Sequence, residues 1–112
     1  METSMPLALP EPIANYLTAD RTDDPALLIR SFTRDAHVHD ESHDYRGIAA
    51  IQAWKREAKT KYPYTVEPLT AETTGPVVTL RAQLTGTFPG SPVQVTYTFT
   101  LANDRIASLS IG

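Results

Sequence analysis

A chain of 112 residues can form one domain with a core of its own and is short for two. Hydrophobic residues make up 41%, charged residues 21%, and the formal net charge is -3, which argues against both a disordered chain and a basic nucleic-acid binder. The absence of cysteine excludes disulfides, thiolate metal sites and a Cys nucleophile.

Residues 1–10 read as a flexible tail interrupted by Pro6 and Pro10, and residues 11–112 as a single domain. Met1 to Pro12 shows neither the basic start nor the long apolar stretch of a signal peptide, and no apolar run reaches the length of a membrane span. A cytoplasmic protein with no membrane or nucleic-acid partner is therefore expected. Pro12 suits the first turn of a helix, on which Ile13, Tyr16 and Leu17 form one apolar face, and that helix is expected to end near Asp20. Asp24 followed by Pro25 is a start signal for a second helix, with Leu28, Ile29 and Phe32 on its buried side.

Ala36 to Asp40 alternates and carries a β-branched valine, which predicts a short strand. Gly47 opens a third helix reaching about Lys61, with Ile51, Trp54 and Ala58 on the buried stripe and Ile48 beside it. The run Lys55-Arg56-Glu57-Ala58-Lys59-Thr60-Lys61 reads as its solvated face. Strands are then predicted over Tyr64–Ala71, Val77–Phe88, Val93–Leu101 and Arg105–Ile111. Turns fall at Gly75-Pro76, Pro89 to Pro92 and Asn103-Asp104. Short turns between successive strands imply an antiparallel meander, and helices grouped before strands imply an α+β fold.

Three stretches resemble the nuclear transport factor 2-like superfamily, and within it the SnoaL-like and ketosteroid isomerase-like small proteins. They are the helix pair Ile13 to Phe32, the run Phe32-Thr33-Arg34-Asp35-Ala36-His37-Val38-His39-Asp40-Glu41, and the helix opening Tyr45 to Trp54. The resemblance implies a cystatin-like α+β roll: a cone of curved antiparallel sheet packed around the helices, with an apolar pocket open at one end. It also implies a homodimer through the outer sheet face, here the Thr-, Gln- and Arg-bearing parity of the two long strands. A plain solvated face is the alternative for those residues.

If Ala36 to Asp40 is extended, Asp40 shares a face with Val38 and points inward, where a carboxylate can act as a general base. Its match to the isomerases' base implies the same role; a strand-end Asp capping a turn is the alternative. The resemblance casts Tyr16 as an oxyanion donor, against a core tyrosine with its hydroxyl at the surface. Tyr97 falls where the isomerases carry a protonated aspartate, so a tyrosine replaces the acid in the implied catalytic set of Asp40, Tyr16 and Tyr97.

Val38, Trp54, Phe88 and Phe99 are expected along the pocket wall, with Tyr62 and Tyr64 in the core or wall. His39 or His43 reaches the rim if the strand ends early, where one could shuttle protons near neutral pH. His37, His39, Glu41 and His43 otherwise alternate on the face away from Val38, where an exposed ladder is the plainer reading than a zinc site. The expectation is a cofactor-free isomerase, cyclase or dehydratase acting on a small apolar carbonyl compound, with no metal. The alternative is a non-catalytic ligand-binding or dimerisation module of the same fold.

Overall fold

The computed structural model describes residues 9–61 and 63–112. Most of the expected tail, and Tyr62, lie outside the described residues. The helices are α1 (Glu11–Thr22), α2 (Pro25–Ser31) and α3 (Ile48–Lys61). The strands are β1 (Phe32–Asp40), β2 (His43–Arg46), β3 (Tyr64–Thr74), β4 (Val77–Gly86), β5 (Val93–Ala102) and β6 (Arg105–Ile111). No helix among the described residues is long and apolar enough to cross a membrane.

The start of α2 follows from its sequence. The Asp24 carboxylate accepts the Leu27 N–H at 3.1 Å, and Pro25 stands where no donor is needed. The chain turns extended at Phe32, so only seven residues are helical and the buried side shifts by a residue: Leu27 and Leu28 face the core while Ile29 is 36% exposed. Helix α1 runs two residues past the expected end and buries Ile13, Tyr16 and Asp20.

The six strands form one sheet in the order β2-β1-β6-β5-β4-β3. Four of the five pairings are antiparallel; the fifth sets β1 parallel to β6, joining the first half of the chain to the last strand. Register shifts interrupt β1, β3 and the β5–β6 pairing. Such irregularities bend strands and increase their twist, which suits a sheet curving around helices. Glu41-Ser42 and Asn103-Asp104 are two-residue hairpin turns with both residues at positive φ, a conformation that favours type I′ turns and short polar side chains. Glycine is required at Gly86, where a Cβ would run into the Pro63 carbonyl oxygen; there β4 closes against Tyr64 at the start of β3.

The core lies between the inner sheet face and the helices. Paired rows show it directly: Val38, Leu109, Phe99 and Val78 align across β1, β6, β5 and β4, each no more than 1% exposed. Tyr16 fills the centre, edge-on to Phe32 and Phe99 at ring separations of 5.8 Å. Burying a side chain such as Phe99 contributes about 1.5–3 kcal/mol.

Candidate active site

The next row out holds the candidate site. Asp40 pairs with Ile111, and Ile111 pairs with Tyr97. Directly paired residues share a sheet face, so Asp40 and Tyr97 both point inward, two strand spacings or about 10 Å apart at the backbone. Both line a pocket of about 550 Å³ at the open end of the cone. Its other walls include Trp54 and Ala58 of α3, Leu84, Phe88, Val93 and Val95, with Tyr64 at one side.

One oxygen of Asp40 is held. The Trp54 indole N–H donates to Oδ2 at 3.0 Å, while Oδ1 makes no hydrogen bond among the described residues. Tyr97 is 2% exposed and its hydroxyl makes no hydrogen bond to a described residue. Yet no fully enclosed polar side-chain atom among the described residues lacks a partner. The Tyr97 hydroxyl therefore opens onto the pocket. Burial, then Tyr16, pushes its pKa far up, with Lys55 opposing. It stays a neutral donor at any physiological pH.

Tyr16 does not line this pocket. Its hydroxyl is buried and accepts a hydrogen bond from the Lys55 ammonium at 2.9 Å, and burial, with Tyr64, Asp20 and Asp40 behind it, pushes its pKa well up. Val38 and Phe99 are core residues behind the pocket, both 0% exposed, whereas Trp54 and Phe88 form its wall. Phe88 lies just past the end of β4, because the chain leaves the sheet after Gly86 on its way into the Pro89 turn.

The histidines belong to the other face. Strand β1 continues to Asp40, so His39 stays outward and does not reach the rim. His37 Nε2 and His39 Nδ1 lie 2.6 Å and 2.9 Å from the same Asp44 oxygen. Hydrogen bonds from His39 and then His37 lower the Asp44 pKa. His43, beyond the turn, bonds to the Glu41 carbonyl instead. No group of three or more His, Cys, Asp or Glu among the described residues is arranged to hold a metal ion.

The run from Lys55 to Lys61 is not solvated throughout. The Lys55 side chain is 10% exposed and bonded to Tyr16, Tyr64 and Asp20. The signal was present in the spacing: Ile51, Trp54, Lys55 and Ala58 follow i, i+3, i+4, i+7, and on α1 Asp20 continues the face of Ile13, Tyr16 and Leu17. A second cavity of about 380 Å³ lies between the α1–α2 turn and α3. It sets Asp23 and Asp24 against Arg56 and Lys59 and lacks the pairing of an apolar wall with a free donor.

A model of the SnoaL-like domain matches residues 13–109. The chain belongs to the SnoaL-like family. A candidate polyketide cyclase from Sinorhizobium meliloti is 40% identical to this SnoaL-like chain and superposes with a TM-score of 0.91, over 93% of this chain and 95% of its own. A protein with a ketosteroid isomerase-like fold from Catenulispora acidiphila, solved with trimethylamine, is 20% identical with a TM-score of 0.81, covering 94% and 86%. A candidate SnoaL-like polyketide cyclase from Jannaschia is 17% identical with a TM-score of 0.79, covering 97% and 90%. No curated protein matches the chain. The last two structures speak for the fold, a three-helix, six-strand α+β cone of the nuclear transport factor 2-like kind.

Proposed function

We propose that this SnoaL-like domain binds a small, largely apolar carbonyl compound in the pocket beside Asp40 and catalyses a proton transfer on it without a cofactor. One observation carries the reading: a carboxylate with one oxygen pinned and a phenol with no hydrogen-bond partner among the described residues face the same largely apolar pocket from one cross-strand row. The name of the Sinorhizobium relative, a candidate polyketide cyclase, is in keeping with a carbonyl-bearing substrate.

In this reading Asp40 Oδ1 takes a proton from the carbon next to the carbonyl. The C–H electrons form the enolate, and its oxygen receives the Tyr97 hydrogen bond. The protonated Asp40 then returns the proton to another carbon, giving isomerisation; or the enolate carbon attacks a second carbonyl of the same molecule, whose π electrons move to its oxygen, and that alkoxide takes the proton back from Asp40, giving cyclisation. The Trp54 N–H holds the carboxylate in the plane of attack throughout. Tyr16 is bonded to Lys55 behind the wall and does not touch substrate.

The test is exchange of the α-hydrogens of cyclic ketones and β-diketones in D2O, followed by NMR. Asp40→Asn is expected to slow exchange by about 10²- to 10⁴-fold, the usual worth of a positioned base, while leaving stability equal or higher. Exchange at the wild-type rate in that variant would overturn the reading.

The Trp54–Asp40 bond also favours a second reading, a binding module in which Asp40 anchors the strand end to α3. That version shows ligand binding that tolerates Asp40→Asn, and no exchange. In either case the outer face pairs two copies. Its central rows, His39–Ser110–Thr98–Thr79 and His37–Ser108–Thr100, are mostly small and uncharged. Native mass spectrometry of the purified protein reads the dimer directly.

A further inference from the structure

A buried cation stands immediately behind the pocket wall. An ammonium has three N–H donors. Those of Lys55 are all engaged: with the Tyr16 hydroxyl at 2.9 Å, the Tyr64 hydroxyl at 3.0 Å and Asp20 Oδ1 at 2.9 Å. Tyr64 in turn donates to Asp20 at 3.2 Å, and Lys59 lies 3.9 Å from the other Asp20 oxygen. Burial pulls Lys55 toward the neutral amine, but Tyr64, Asp20 and Tyr97 outweigh it and raise its pKa. With every donor spent and the charge held, Lys55 is not a nucleophile.

Lys55 itself lines the second cavity, between the α1–α2 turn and α3, and reaches the pocket through two side chains of its wall. The Lys55 ammonium lies 4.4 Å from the centre of the Trp54 ring, whose N–H holds Asp40, and it bonds to Tyr64, which lines the pocket. Asp20, its counterion, is 4% exposed on α1 and, among the described residues of the pocket wall, is hydrogen-bonded to Tyr64. The positive end of the ion pair thus meets the pocket wall at two side chains and the negative end at one. At the Tyr97 hydroxyl, behind burial and Tyr16, the pull of Lys55 toward the ionised form exceeds the push of Asp20.

We propose that Lys55 is a positioning residue of this site: a fixed cation that, through the Tyr64 hydroxyl and the Trp54 ring, favours negative charge on an oxygen bound in the pocket. The inference rests on the reading that the pocket takes a carbonyl compound, and it deepens it. The ligand class narrows to compounds that carry or develop an oxyanion, such as enolates and phenolates. The ionisable groups that set the field there are Asp20 and Tyr16 from α1, Asp40 from β1, Glu41 from the β1–β2 turn, Lys55, Lys59 and Lys61 from α3, Tyr64 from β3 and Tyr97 from β5.

The probe is 4-nitrophenol, a planar enolate mimic whose ionised form absorbs visible light. Its ionisation midpoint is measured when bound to wild type, Lys55→Met, Lys55→Arg and the double variant Lys55→Met/Asp20→Asn. The double variant leaves no buried carboxylate without its cation, so it remains informative if Lys55→Met fails to fold. The midpoint is expected about one pH unit higher in Lys55→Met, or in the double variant in its place, and to return toward wild type in Lys55→Arg. An identical midpoint in wild type and the folded double variant overturns the role of Lys55 while leaving the pocket reading intact. Failure of wild type to bind the probe, or binding untouched by Tyr97→Phe, overturns the pocket reading and this inference with it.

Discussion

The two faces of the sheet each carry a carboxylate tied to nitrogen donors. Outside, Asp44 is within hydrogen-bond distance of two imidazoles; inside, Asp40 accepts one indole N–H, and Asp20 behind the pocket meets one ammonium closely. By close nitrogen contacts the outer Asp44, with two, exceeds either inner carboxylate, with one each. The Asp44 side chain is 55% exposed, however, whereas those of Asp20 and Lys55 are 4% and 10% exposed. Water screens the first pair far more than the second. What a charged pair contributes is set by how much solvent it has lost, and the inner face is where both stability and chemistry become sensitive to single atoms.

The sharpest way to break this contrast is to remove one inner partner. Lys55→Met strands the Asp20 carboxylate, and urea unfolding should report a loss of about 3–5 kcal/mol. Adding Asp20→Asn should recover most of it, because the cost lies in the orphaned charge. If the single variant is as stable as wild type, the inner pair is no more than a surface bridge.

Tyr97→Phe comes next. It deletes the hydroxyl without opening a cavity, so the melting temperature should hold while α-hydrogen exchange falls by about 10²- to 10³-fold, the usual worth of an oxyanion donor. An unchanged rate would remove Tyr97 from the chemistry.

A pH series then sharpens the comparison. Tyr16, Tyr64 and Tyr97 are raised above their ordinary value of 10.0, and Lys55 above 10.5. All four hold protons more tightly when folded. The stability they contribute is complete below those ordinary values and is lost as pH rises toward the folded ones. Unfolding free energy should be level from neutral pH to about 10 and then drop steeply, less so in Tyr16→Phe.

The smallest effect belongs to the outer cluster. The Asp44 pKa is lowered, so its contribution exists above the ordinary carboxylate value of 3.8 and is lost as pH falls through the folded value. Asp44→Asn should lower the neutral-pH melt only slightly, and that small difference should fade at high salt and vanish in acid, where wild type has lost the same contribution. A large loss at neutral pH would show that the outer face is covered, as it would be in a dimer.

Local rules made much of the fold legible. Asp24-Pro25 announced α2, Asn103-Asp104 announced the last hairpin, and alternation over Val93–Leu101 placed Tyr97 and Phe99 inward. Strand β2 was not legible, since His43-Asp44-Tyr45-Arg46 has little strand character and is extended because the two-residue turn folds it onto β1. The start of β1 was hidden in the same way: Thr33-Arg34-Asp35 is polar and is carried by a strand anchored to Ile106 at Phe32. Lys55 was half legible. Its place on the stripe of Ile51 and Trp54 marked it as inward, but the surrounding charges resembled a solvated face.

By itself the amino-acid sequence determined the parity of β4 and β5, the starts of the helices and the inward direction of Asp40, because these follow from periods of two and of 3.6 residues and from the conformational limits of Pro, Asp and Asn. Only the tertiary structure decided that Asp40 and Tyr97 share a row and that Lys55 meets Asp20. Both meetings join segments far apart in the chain, and both depend on register and packing. A repeating pattern says which way a side chain points, and the partner it finds there is chosen by the fold as a whole.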